Sequence, residues 1–231
     1  MRGFVCSPMR QDLAHIACPQ GLELVMREEG LTLVGNGMEL RGDFSRMVPR
    51  LRQDRLSHEL LVRAARVRGA REPVAVDATA GLGEDSLLLA AAGFCVTLFE
   101  RDAVIAALLR DALRRGADDA RLAACVARMR LVEGDAVQGM RDLDAPPDVV
   151  FLDPMFPMRK KSASVKKKLQ MLQQLERPCD NEEELLRVAM QTGASKVIVK
   201  RPAKGPNLAG ATPSHALAGK AVRYDVYCVT H

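Results

Sequence analysis

The segment Val74-Ala75-Val76-Asp77 runs straight into Ala78-Thr79-Ala80-Gly81-Leu82-Gly83, and then into the apolar stretch from Ser86 to Ala92, which stops at Gly93. A short apolar run, a turn with two glycines and a helix-length apolar stretch form the opening unit of a doubly wound, mostly parallel sheet. That commits the chain to an α/β fold whose ligands sit outside the carboxyl ends of the strands. The turn is a poor dinucleotide fingerprint. Ser86 stands where the third glycine of that pattern would fall, and Glu84 and Asp85 crowd the helix N-terminus. A pyrophosphate seeks a positive helix end, and two carboxylates there would repel it. They suit a ligand with positive charge and no phosphate. S-adenosylmethionine, with an ammonium and a sulfonium, fits this loop better than NAD. Asp77, Gly81, Gly83, Glu84 and Asp85 are therefore candidate cofactor residues.

Three further strands end in acids. Cys95–Phe99 leads into Glu100, 17 residues beyond Gly83. An acid at the end of the second strand is where a ribose diol is gripped, since a carboxylate accepts from both hydroxyls. Its competing role is to cap the helix expected from Ala103 to Arg114, for which Asp102 is better placed. Met129–Glu133 leads into Gly134-Asp135-Ala136, where Asp135 could accept from an adenine amine and the adjoining backbone N–H could contact the ring. Val149-Val150-Phe151-Leu152, bounded by Pro146-Pro147 and Pro154, reads as a short buried strand ending in Asp153. Packing alone does not explain four acids at four successive strand ends.

The last of these ends is the most specific. Asp153-Pro154-Met155-Phe156 sets a carboxylate, a carbonyl stiffened by a proline ring and an aromatic face at the rim of the sheet. Those groups can hold a planar exocyclic amine, with two acceptors for its N–H groups and Phe156 stacking on its ring. An isolated acid-Pro-x-aromatic turn is more often just a strand end, so its weight comes from the glycine loop upstream. Six basic residues and no acid follow between Arg159 and Lys168. Lys160, Lys161, Lys166 and Lys167 there suit the phosphates beside an extruded nucleotide.

Together these segments resemble a class I S-adenosylmethionine-dependent methyltransferase. The resemblance narrows with Asp77-Ala78-Thr79-Ala80-Gly81-Leu82-Gly83, Leu152-Asp153-Pro154-Met155-Phe156-Pro157, Lys161-Ser162-Ala163 with Val165-Lys166-Lys167, Val199-Lys200-Arg201-Pro202 and Ala211-Thr212-Pro213, all in order. That series is similar to the bacterial small-subunit ribosomal RNA guanine-N2 methyltransferase family, over roughly residues 73 to 231. The resemblance implies a Rossmann-like seven-stranded sheet and methylation of a guanosine near the 3′ end of that RNA. It places cofactor contacts on Glu84 and Asp85, Glu100 and Arg101, Asp135 and Ala136, and Asp153, with Asp153, Pro154 and Phe156 at the reacting amine. Where this chain has Asp135-Ala136, the family can carry Ser-Ser. Two other classes share parts of the pattern. An N-methyltransferase acting on a DNA base or a protein glutamine would use the same acid-Pro-x-aromatic turn, and a non-catalytic ribosome-assembly factor could keep the fold and only bind RNA.

Residues 1–70 read as an N-terminal extension and 71–231 as the methyltransferase domain. Leu22–Met26, Leu31–Val34 and Met38–Arg41 are strand-length runs separated by glycine-containing turns. A helix is expected from about Arg52 to Arg68, with Leu56, Leu60, Ala64 and Val67 on one face. Nine arginines lie between Arg41 and Arg71, and the whole chain carries a net charge of +5. This suits a nucleic-acid partner without proving one. Aromatic residues are 3% with no Trp, which argues against an RNA surface built on rows of stacking rings. The six cysteines show no C-x-x-C spacing, which implies reduced cytoplasmic usage and no metal site, and Cys95 and Cys228 read as small core residues. Residues 203–219, rich in Gly, Pro and Ala, read as a loop before a closing strand over Val222–Val229.

Overall fold

Apolar runs punctuated by glycine, proline and acids become strands across this molecule. The computed structural model describes residues 15–35, 37–154 and 181–229. The first elements are β1 (Leu22–Arg27), β2 (Gly30–Gly35) and β3 (Met38–Leu40), which pair antiparallel in that order. Arg27 pairs with Gly30 across the two-residue turn Glu28-Glu29.

The main sheet contains β4 (Val74–Asp77), β5 (Cys95–Glu100), β6 (Met129–Glu133), β7 (Val149–Leu152), β8 (Lys196–Pro202), β9 (His215–Ala218) and β10 (Val222–Cys228). Their spatial order is β6-β5-β4-β7-β8-β10-β9. The first five of that order are parallel, while β10 runs antiparallel to both β8 and β9. The chain winds outward from β4 to β6, then returns to the other side of β4 at β7. That reversal opens a crevice at the carboxyl ends of β4 and β7, the place where doubly wound sheets bind ligands.

The helices are α1 (Val48–Leu51), α2 (Gln53–Leu56), α3 (Leu60–Ala65), α4 (Glu84–Ala91), α5 (Ala103–Asp118), α6 (Ala123–Val126), α7 (Ala136–Arg141) and α8 (Glu182–Gln191). Strand alternation divides the core. Ala75, Val96, Leu98, Val149, Phe151 and Ile198 pack with Leu87, Leu88 and Leu89 of α4 and with Leu61 of α3. Val76, Val150, Leu152, Val197 and Val199 pack on the other face with Met140 of α7 and Leu185 and Leu186 of α8. Both faces are covered, which is why these strands read as unbroken apolar runs. Each fully buried Leu or Phe contributes roughly 1.5–3 kcal/mol.

The N-terminal sheet lies against α5. Leu31, Leu33 and Leu40 join Val104, Ile105 and Leu108, and Leu82 of the glycine loop completes this third cluster. Asp111 of α5, 1% exposed, accepts from the Leu31 N–H at 3.0 Å and pairs with Arg115 at 2.7 Å. The N-terminal extension thus supports the underside of the loop that carries Gly81 and Gly83.

Three expectations change. The single helix over Arg52–Arg68 is broken: Arg52 (ψ 139) and Glu59 (ψ 126) are extended and separate α1, α2 and α3. Of the four residues expected on one face, Leu56 and Ala64 are buried and Leu60 and Val67 partly buried, and they are carried by short helices and the turns around them. The segment 203–219 is not all loop, because His215–Ala218 forms β9 at the sheet edge and pairs with β10. Edge strands carry little apolar signal, and three of its four residues are exposed. Cys95 and Cys228 lie in strands as expected, yet both are exposed because they occupy strand termini.

Candidate active site

Asp77, Glu100, Asp135 and Asp153 all stand at or just beyond the carboxyl ends of adjacent strands, and the crevice lies among them. Asp77 closes β4. Its Oδ1 accepts from the Thr79 N–H at 3.0 Å and its Oδ2 from the Ser86 hydroxyl at 2.5 Å. Ser86, the residue that spoils the dinucleotide pattern, therefore ties the strand end to α4. Asp77 is 1% exposed, and burial pushes its carboxyl up to about 7 against the pull of the Ser86 and Thr79 hydrogen bonds. Neighbouring Asp85 and Asp153 add to the rise.

The glycine loop is pinned from the next strand. The Ala80 N–H donates to the Phe99 carbonyl at 3.1 Å, and the Gly81 N–H donates to Glu100 Oε2 at 2.9 Å. Glu100 Oε1 accepts from the Asp102 N–H at 2.9 Å. Burial raises the Glu100 carboxyl, and these two N–H groups counter it. Each oxygen retains a further lone pair, so a ribose diol can be added to this arrangement. Asp102 takes the capping role, accepting from Val104 and Ile105 of α5.

Gly81 (φ +53) and Gly83 (φ +77) hold left-handed backbone that side chains adopt at a cost. A Cβ on Gly83 would meet Leu109 Cδ1 at 2.7 Å, whereas one on Gly81 would meet nothing within 4 Å among the described residues beyond its chain neighbours. Gly83 is there for packing, and Gly81 borders open space. Glu84 and Asp85 fill the first turn of α4, Glu84 exposed and Asp85 partly buried. Arg101 is exposed. Asp135 caps α7 through Gln138, and Ala136 begins that helix in a buried position. Asp135 lies two strands from Asp77, at the far end of the row.

On the other side of the crevice the Asp153 N–H donates to Thr79 Oγ1 at 2.6 Å, joining the β7 end to the glycine loop. Pro154 is buried; Phe156 and Lys160, Lys161, Lys166 and Lys167 lie outside the described residues. The residue that sequence reasoning passed over is Lys200 of β8. Its Nζ lies 2.8 Å from Asp153 Oδ2 and 2.6 Å from Asp85 Oδ2. Lys200 follows the apolar run Val197-Ile198-Val199 as the acids follow theirs, and that was the available signal. Burial works against its charge, but Asp85 and Asp153 outweigh that and raise its pKa. Burial also raises the Asp153 carboxyl and Lys200 restrains the rise, although 35% of the Asp153 side chain remains open to solvent. Tyr224 of β10, buried beside Lys200 in register and 6.4 Å ring to ring from Phe151, is raised by the same burial.

A seven-stranded sheet in this order, with acids gathered outside its switch point and an acid-lined helix start, defines a class I S-adenosylmethionine-dependent methyltransferase. The residues fit that cofactor: a buried carboxylate is available for a diol, no described residue fills the space over Gly81, and Glu84 and Asp85 open α4, Asp85 paired with Lys200. The family described as "Putative SAM-dependent methyltransferase" matches residues 9–229. The chain is 44% identical over 214 residues to the ribosomal RNA small subunit methyltransferase J of Thioalkalivibrio sulfidiphilus, covering 89% of this chain and 84% of that protein. It is 41% identical over 216 residues to the protein of the same name from Chromohalobacter salexigens, with the same two coverages. Among solved structures, a SAM-dependent methyltransferase from Neisseria gonorrhoeae superposes with a TM-score of 0.77 at 31% identity, covering 96% of this chain and 92% of that one. The chain belongs to the ribosomal RNA small subunit methyltransferase J family of S-adenosylmethionine-dependent enzymes.

Proposed function

We propose that this chain methylates the exocyclic N2 amine of a guanosine in small-subunit ribosomal RNA. The relatives' names support the RNA. The observation that carries the amine is Asp153, pinned at its backbone by Thr79 and at one carboxylate oxygen by Lys200, with part of the side chain open at the crevice. The lone pair of guanine N2 is delocalised into the ring, which makes it a poor nucleophile. Accepting its N–H bonds at the Asp153 carboxylate and the Pro154 carbonyl favours tetrahedral nitrogen and frees that pair. The bound cofactor supplies the electrophilic methyl group. Asp153 need not be a strong base, because the product ammonium is acidic and loses its proton readily. Phe156 stacks on the base, worth roughly 1–3 kcal/mol, and Lys160, Lys161, Lys166 and Lys167 hold phosphates. Positioning and charge complementarity supply most of the rate. The lysine segment favours RNA over a protein amide.

The test is mass spectrometry of nucleosides from small-subunit RNA incubated with enzyme and isotope-labelled cofactor. Label in N2-methylguanosine is expected. Label in another nucleoside, or only in protein glutamine, overturns the substrate, and RNA binding without any label identifies an assembly factor. Under single-turnover conditions Asp153→Ala should lower methyl transfer by about 10²–10³-fold, the size seen when a transition-state hydrogen-bonding group is removed, with little change in RNA affinity. Turnover near wild type for both Asp153→Ala and Asp153→Asn would make Asp153 a structural cap.

A further inference from the structure

The parallel register pairs Leu152 of β7 with Val199 of β8, so the next residues along, Asp153 and Lys200, emerge side by side at the crevice. Lys200 reaches Asp153 there and, across the switch point, Asp85 at the start of α4. An ammonium between two carboxylates at 2.6 and 2.8 Å is a built cluster. Its members come from three separate elements, and its side chains are only 20–35% exposed. A structural tie alone would be satisfied by one carboxylate. Here the lysine engages the carboxylate that the proposed reaction needs and also one on the cofactor side.

We infer that Lys200 is the positioning residue of the transfer step: by engaging Asp153 Oδ2 it fixes the rotamer of Asp153 and keeps its carboxylate charged, leaving Oδ1 to accept from the substrate amine. This deepens the reading of Asp153 as the amine acceptor and rests on it. The ionisable groups around Asp153 make the consequence specific. Lys200 and Arg201 of β8 favour its charged form, whereas burial and Asp85 of α4 oppose it. Asp77 at the β4 end and Tyr224 of β10 also interact with it. Without Lys200, Asp153 would face two carboxylates and a buried phenol with Arg201 as its remaining positive neighbour in that set. Loss of an adjacent opposite charge raises a carboxyl pKa by 1–3 units.

Lys200→Met and Lys200→Arg test this, with single-turnover methyl transfer to small-subunit RNA measured from pH 5.5 to 9.5. Asp153 falls silent as it protonates, so the acid limb of the rate profile should move to higher pH by one unit or more in Lys200→Met. Its rate should fall below the wild-type rate on the acid side of the displaced limb and recover as the pH rises past it. Lys200→Arg, which keeps the charge, should return most of the rate and the wild-type limb. Carboxyl NMR of the cofactor-free protein, with the Asp153 signal assigned by its loss in Asp153→Asn, should show the same upward displacement in Lys200→Met and none in Lys200→Arg. Should Lys200→Met fail to fold, the arginine variant still decides the matter: a charge-retaining variant that binds cofactor but transfers as slowly as Asp153→Asn removes the positioning role. An unmoved acid limb and Asp153 signal in folded Lys200→Met overturn the inference while Asp153→Asn stays inactive, which leaves the reading of Asp153 intact. Near wild-type turnover in both Asp153→Asn and Asp153→Ala overturns both.

Discussion

The two sides of the crevice hold their carboxylates by different means. At the ends of β4 and β5, Asp77 and Glu100 accept from backbone N–H groups and the Ser86 hydroxyl. Across the switch point, Asp153 beyond β7 and Asp85 at the start of α4 share the Lys200 ammonium of β8. Neutral donors fix geometry but only partly offset the cost of burying charge; a cation offsets it directly. One side is thus a shaped cup in which only neutral donors oppose the burial of Asp77 and Glu100, and the other is an ion cluster in which Lys200 restrains the rise that burial imposes on Asp153. On the proposed reading this division matches two tasks, holding a sugar and base on one side and activating an amine on the other.

Asp77 offers the sharpest way to break this contrast. Its folded pKa of about 7 stands above the ordinary value of 3.8, so between those limits the folded protein binds the extra proton. Stability from this group is complete below about pH 4, declines as the pH rises, and is fully lost above about pH 7. Three pK units set a ceiling of about 4 kcal/mol. Asp77→Asn can still accept from Thr79 through its carbonyl and donate to Ser86 through its amide, and it has no charge to bury. Denaturant melts across pH 4–8 should therefore show wild type losing stability relative to Asp77→Asn, with the gap levelling off above pH 7. A gap that does not change with pH would mean that Asp77 is ionised throughout, and the two sides would then be electrostatically alike.

Glu100 probes the same side through the ligand. Glu100→Ala removes the proposed acceptor for the ribose hydroxyls together with the anchor of the Gly81 N–H. Charge-assisted hydrogen bonds contribute about 1.5–3 kcal/mol, so calorimetry should show S-adenosylmethionine affinity falling about 10- to 100-fold. Glu100→Gln should fall less, because it keeps one carbonyl acceptor. Unchanged affinity in both would leave Glu100 as scaffolding for the loop and remove it from the ribose.

What could be read from the sequence divides along the same line. Asp77, Glu100 and Asp153 were legible because each ends an apolar run, and a strand end is a local feature. The hairpin of β1 and β2 was legible for the same reason. Lys200 was not, because its partners lie 47 and 115 positions away and meet only when β7 sits between β4 and β8. Arg52 and Glu59 broke the expected arginine helix through backbone turns that apolar spacing does not record. The short edge strand His215–Ala218 has only one neighbour to pair with and little burial to mark it.

The smallest effect belongs to Gly81, and it tests whether the cup faces a ligand at all. Its φ of +53 makes alanine unfavourable by about 1–2 kcal/mol whatever surrounds it. For a chain of this size that corresponds to roughly 2–4 °C in Tm per kcal/mol. The added methyl meets nothing within 4 Å among the described residues beyond its chain neighbours, so Gly81→Ala should fold and lose little else. Gly83→Ala adds a contact of 2.7 Å with Leu109 to a similar backbone cost and should be the less stable of the two. If the open side of the loop is where the cofactor lies, Gly81→Ala should weaken S-adenosylmethionine binding about tenfold despite its mild melt. A variant that melts slightly lower yet binds the cofactor as tightly as wild type would show that the ligand passes elsewhere, and the backbone-built side of the crevice would then lose its claim to hold it.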